Sequence, residues 1–247
     1  MSNANSAVST ATESDQSWKP LFMTGSILAF VYTVMVILPL VLIFTTPQPP
    51  ATGGLAVLSY IASHKGIYLT ELICFVGLSI PAICVFFALA ILLLKSNKVL
   101  AALGGLVGVV SEIVALALGG SPESLHGGLV YLSNQYALAS SEAQRLALST
   151  AAESLIATVN SVSSAGVLTA LAILLLSLCM LRGTVGRGVA IFGIVTGILG
   201  IVLEAIRPVA GMFYALYGIL LPIWFIVVGI MLFKASTRST RAAIHAS

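Results

Sequence analysis

Three glutamates and one arginine interrupt stretches that are otherwise aliphatic: Glu71, Glu112, Glu204 and, one helical turn after the last, Arg207. In such surroundings a carboxylate can hold a cation, carry a proton or accept hydrogen bonds from a ligand. An ionisable group inside a membrane is a candidate functional site by default, because placing it there costs about 2.5–3.5 kcal/mol. Each also has a plainer reading. Glu204 and Arg207 stand i,i+3 and can simply pair, and Glu71 can lie at the membrane interface. Glu112 has no cation in its own helix and is open to either role. Asn160, beside Ser161, Ser163 and Ser164, adds a polar patch that suits interhelical hydrogen bonds or a ligand.

Other chemistry is thin. There is no GxSxG, HExxH or P-loop pattern. His64 and His126 fall in loop segments without a metal-ligand partner at suitable spacing, and the one aspartate is Asp15. The sequence therefore points to no catalytic residue, metal or other cofactor, and to a non-enzymatic role. Cys74, Cys84 and Cys179 lack CxxC spacing and read as small hydrophobic packing residues.

The elements that must carry these residues follow from composition. Of 247 residues 59% are hydrophobic and 8% charged, against about 25% charged in soluble domains; mean hydropathy is +1.10. The fold class is an all-α, polytopic transmembrane bundle whose constant partner is the lipid bilayer. A homo-oligomer or a membrane partner protein stays open, and no basic, aromatic-interleaved run supports nucleic-acid binding. Roughly 20 apolar residues span the hydrocarbon core, and six segments meet that length: Leu21–Thr46, Ile67–Leu94, Val99–Leu118, Leu155–Leu181, Val189–Ile206 and Met212–Phe233. Residues 1–20 read as a disordered tail, 21–234 as the membrane domain and 235–247 as a basic tail.

Lysines and arginines orient the spans. With both termini cytoplasmic in a cell membrane, eight of the 11 fall inside: Lys19, Lys95, Lys98, Arg182, Arg187, Lys234, Arg238 and Arg241. Lys65, Arg145 and Arg207 fall outside. The inner turns are short, making antiparallel hairpins of spans two–three and four–five, a weak parallel repeat. The outer loops are long. Tyr131–Tyr136 suits the interface, Trp18 and Tyr68 read as interface anchors, and span four is expected to begin near Ser140 and project beyond the membrane. Pro39, Pro81 and Pro222 can kink spans one, two and six.

Helical periodicity aligns Gly193, Gly197 and Gly200 with Glu204, and Gly104 and Gly108 with Ser111 and Glu112. Small residues mark close helix approach in membranes. At 1.5 Å per residue Glu112 and Glu204 lie roughly 21 and 25 Å above the inner turns. The expectation is that Glu71, Glu112 and Glu204 converge beneath the outer loops, in a glycine-lined cavity between spans three and five.

Leu69-Thr-Glu71-Leu-Ile, Lys95-Ser-Asn-Lys98 and Ala102 through Ser111-Glu112-Ile resemble motifs of the domain of unknown function 4386 family, small bacterial membrane proteins. Tyr136-Ala-Leu-Ala-Ser, Gln144-Arg145 and the Ala-rich run to Glu153 are similar to the external region of some members. Span three departs from that pattern, with Gly104, Gly105 and Gly108 where the family has aromatic and arginine residues. The resemblance implies a six-helix architecture and no known activity. Two functions follow as expectations: a non-catalytic membrane component binding a lipid, small hydrophobic ligand or partner protein, or a small proton- or cation-coupled carrier using the glutamates.

Overall fold

The computed structural model describes residues 17–50, 52–118, 126–161, 164–183, 186–210 and 213–244. Among them are ten α-helices and no strand. They are α1 (Lys19–Thr45), α2 (Gly54–Ser63), α3 (Lys65–Gly77), α4 (Ser79–Leu93), α5 (Lys98–Leu118), α6 (Gly127–Leu138), α7 (Glu142–Ser161), α8 (Ser164–Leu181), α9 (Arg187–Ala210) and α10 (Tyr214–Ile244). Five stretches are long and apolar enough to cross a membrane: Lys19–Leu42, Lys65–Leu93, Lys98–Leu118, Arg187–Arg207 and Tyr214–Thr237. Ala165–Leu181 is apolar but shorter.

Six helices close a ring in the order α1, α4, α5, α8, α9, α10 and back to α1. Glycines permit the closest approaches. An added Cβ at Gly105 would overlap Ala90 of α4, and one at Gly108 would overlap the Phe86 ring. On α9, Gly197 lies against the α8 backbone at Leu174 and Ala170, and Gly200 against Ala170 and Tyr217. Where lipid supplies no hydrophobic drive, such contact is what holds helices together. At one end of the ring are the tight turns. The Asn97 side chain caps α5, accepting from Val99 N at 3.1 Å and Leu100 N at 3.0 Å. The Cys179 thiol donates to Leu93 O at 3.6 Å and Asn97 O at 3.5 Å. The main core fills this half, with Tyr32 stacked on Phe225 at 3.7 Å and Phe86 against Trp224 at 5.9 Å.

The other end carries a cap of three helices, α2, α6 and α7, with a core of its own around Leu58, Ile61, Tyr68, Leu129 and Ile156. Glu153 of α7 accepts from Gly54 N at 2.6 Å, placing a carboxylate on the α2 N-terminus. Gly54 has to be glycine, since a Cβ there would run into Ser149 O. Burial, together with the nearby Glu71 carboxylate, pushes the Tyr60 hydroxyl up from its ordinary pKa. It thus stays protonated and donates to Pro47 O at 2.6 Å.

Several expectations change at this end. The segment before span two contains α2, and Tyr131–Tyr136 lies within α6. A helix begins at Glu142, close to the expected start near Ser140, and runs to Ser161 as α7, which packs in the cap; residues 162–163, between it and α8, lie outside the described residues. Span two divides at Leu78, three residues before Pro81, whose missing N–H removes a bond from the helix ladder. Tyr68 is fully buried instead of anchoring at an interface, because its hydroxyl ties α3 to the chain before α6, accepting from His126 N at 2.9 Å. At the far end α10 stays helical to Ile244, past the Phe233 boundary. The tail through residue 16 lies outside the described residues.

Candidate functional site

Inside the ring, between the packed half and the cap, is a cavity of about 610 Å³. Its walls are apolar. Along α1 the i,i+4 series Val36, Leu40 and Phe44 faces it, and α10 contributes Gly218, Ile219 and Leu221. Phe44 is 81% exposed and Ile219 54%, so the mouth opens on the apolar flank of the bundle between these two helices. Pro39 and Pro222 lie inside the helices that form it.

Polar groups gather on the floor. Glu112 is only 4% exposed. It accepts from Thr169 Oγ1 of α8 at 2.9 Å, and the Ser79 hydroxyl at the start of α4 bonds the same side chain. Thr169 is held in turn by Ser111 Oγ at 2.6 Å, which also reaches Ala165 O at 2.7 Å. Ser111 and Glu112 are adjacent on α5, so one turn of helix supplies both the acceptor and the hydroxyl that orients its donor. Across the floor, Glu204 of α9 accepts from Tyr214 Oη at 3.0 Å and faces Arg207 Nη1 at 3.4 Å. The guanidinium also sits over the Tyr214 ring, 5.4 Å from its centroid. Gly166 of α8 makes room for this arrangement, since a Cβ there would overlap the Glu204 carboxylate.

Two tyrosines complete the floor. Tyr32 lies within electrostatic reach of Glu112 and Tyr214, and Tyr217 within reach of Tyr32, Tyr214 and both carboxylates. The Tyr217 hydroxyl is buried and has no hydrogen-bond partner. A buried hydroxyl left unsatisfied costs about 1–3 kcal/mol, so this group is poised for a partner that enters the cavity. Neither tyrosine stands out in the sequence, where Tyr32 and Tyr217 look like any aromatic in an apolar span.

The sequence candidates divide. Glu112, Glu204 and Arg207 meet at the cavity as expected. Glu71 does not join them. It is buried at 2% exposure. On α3 it lies within electrostatic reach of Tyr60 and Tyr68, at the cap. The glycines are also placed differently. Gly104 packs on Leu176, Gly108 on Phe86, Gly193 on Ser177, and Gly197 and Gly200 on α8. Helix α8 thus lies between α5 and α9, and the glycine stripes hold that sandwich together while aliphatic and aromatic side chains line the cavity. The Asn160 side chain, with those of Ser161 and Ser164, and all of Ser163 lie outside the described residues. His126 caps α6, its Nδ1 accepting from Gly128 N at 2.9 Å. Among the described residues, no three His, Cys, Asp or Glu side chains come together as a metal site. No family model, curated protein or solved structure matches the chain.

Proposed function

We propose that this chain is a non-catalytic integral membrane protein that binds a small hydrophobic or lipid-like ligand in the ring cavity. In this reading the six ring helices each cross a cell membrane, with α3 extending α4, and the tight basic turns and both termini face the cytoplasm. The eight-to-three distribution of basic residues supports that orientation, and the six-span count is also what the resemblance to the domain of unknown function 4386 family implies. One observation carries the function: a cavity of about 610 Å³ with apolar walls, a few converging polar groups and a mouth on the apolar flank. Ligand pockets have this size and composition. A ligand already dissolved in the bilayer would enter sideways.

The test is photolabelling. A diazirine-bearing dodecanol, added to the chain in nanodiscs, should label Tyr217 and Tyr214 saturably. Gly218 faces open space, so Gly218→Phe should fill the cavity without a backbone clash and abolish that labelling. Labelling confined to outward-facing residues such as Ile73 and Val99, or unaffected by Gly218→Phe, would overturn the reading.

A second reading is favoured by one feature. Leu78 lines the cavity at the interruption between α3 and α4, and carriers place discontinuous helices around their substrate sites. A proton- or cation-coupled carrier using Glu112 would lose pH-dependent uptake into proteoliposomes on Glu112→Gln. Equal flux in both proteins favours the binding component.

A further inference from the structure

The charge on the cavity floor selects among hydrophobic ligands. Among the described lining residues the charged side chains are Glu112, Glu204 and Arg207. Arg207 stands 3.4 Å from Glu204 and over the Tyr214 ring, so the two charges offset, though Glu204 Oε2 has no hydrogen-bond partner among the described residues. Glu112 meets hydroxyls, from Thr169 and Ser79, but no cation among the described residues. Hydroxyls can orient a carboxylate but cannot neutralise it, so a buried carboxyl without a cation either bears the cost of its charge or takes up a proton, and a cationic ligand favours the ionised form. In the same cavity lining, the Tyr217 hydroxyl, on a residue 1% exposed, has no partner among the described residues. Its oxygen can accept one hydrogen bond more.

We propose that the occupant is a single-chain amphiphile whose head is a protonated primary amine, with the ammonium set between Glu112 and the Tyr217 hydroxyl. An ammonium brings three donors and one positive charge. Glu112 takes the charge and a donor, and Tyr217 and Tyr32, which line the same cavity, offer oxygens to the others. The alkyl chain then runs along Val36, Leu40 and Phe44 toward the mouth. A carboxylate or phosphate head would face two glutamates against one arginine that is already paired. A hydroxyl head could satisfy Tyr217 but would leave Glu112 without a counter-ion. This proposal rests on the reading of the cavity as a ligand site and adds the chemistry of the head group.

Three probes of equal chain length separate the two. Dodecylamine, dodecanol and dodecanoate are each titrated against photolabelled dodecanol in phosphatidylcholine nanodiscs holding the full chain, with thermal unfolding followed in parallel. Dodecylamine should displace the label and raise the unfolding midpoint at a concentration about tenfold or more below that of dodecanol, the gain expected of a hydrogen bond to a charged group. Dodecanoate should be the weakest of the three. Glu112→Gln keeps the shape and the hydrogen bonding to Thr169, and should bring the amine down to the level of the alcohol. Tyr217→Phe should weaken the amine by several-fold while leaving Glu112 in place, which covers the case in which Glu112→Gln fails to fold. Amine and alcohol competing equally in the unsubstituted chain, or a preference that survives Glu112→Gln, would overturn the amine assignment and leave the ligand cavity standing. If none of the three competes, the cavity reading falls as well.

Discussion

Below Tyr32, toward the tight turns, α1 and α10 touch directly: Tyr32 stacks on Phe225, and Gly25 and Gly229 bring the backbones close to Leu232 and Ala29. Above it the same two helices face each other across the cavity. The residues hardly differ in character, being aliphatic and aromatic on both sides. What differs is the filler. The packed half has Phe86, Trp224 and Phe225 pointing inward, with interior-like density. In the hollow half the inward groups are polar and sit low, and the side chains of α1 stand along the wall. The bundle therefore tolerates an unfilled interior only where polar anchors line its base and a cap covers its end.

The contrast can be tested by substitution, beginning with the packed half. Phe86→Ala should cost about 3–5 kcal/mol of stability, the range for emptying a buried aromatic site, read from unfolding in detergent. A small loss there would mean that this half is not packed as described. Next comes the floor. Tyr214→Phe removes one donor to Glu204 and should cost roughly 1.5–3 kcal/mol, typical of a hydrogen bond to a charged group. The paired substitution Glu204→Gln with Tyr214→Phe should cost less than the sum of the two, and additivity would show that the bond contributes nothing. The smallest effect is expected at the mouth. Phe44→Ala should change stability by about 0.5 kcal/mol or less, as exposed positions generally do. It should nevertheless widen the entrance and speed exchange of a bound alcohol. A loss as large as that at Phe86 would erase the distinction between the halves.

Much of the framework is legible in the sequence alone, and for identifiable reasons. Runs of twenty apolar residues have few alternatives to membrane-compatible helices. Glycines at helical spacing mark tight contacts, and Gly105, Gly108 and Gly197 make them. Glu112 and Glu204 can be brought to one interior because their depth and facing follow from 1.5 Å and 100° per residue. The cavity wall cannot be read in the same way. Val36, Leu40 and Phe44 have the composition of any lipid-facing stripe, and nothing local distinguishes a side chain beside a void from one beside an acyl chain. Tyr68 is misread for a related reason. An amphipathic ring suits an interface and a capped core equally, and only its bond to His126 N, between residues 58 positions apart, decides. Glu71 is drawn toward the other glutamates by its depth alone, which says nothing of the tyrosines Tyr60 and Tyr68 that the cap brings to it.

The closure of the ring by α1 and α10 also sets when the hollow half can come into being. These are the first and last of the ten helices in chain order, and the wall of the cavity is made largely from both. At about 5–20 residues per second of synthesis, α10 follows α1 by roughly 10–40 s. Through that interval the Val36–Leu40–Phe44 stripe has no partner helix across from it, and Tyr214 and Tyr217 have not yet been made. The site thus forms only once α10 docks against α1. A ligand present at that moment would act on assembly as well as occupy the finished protein.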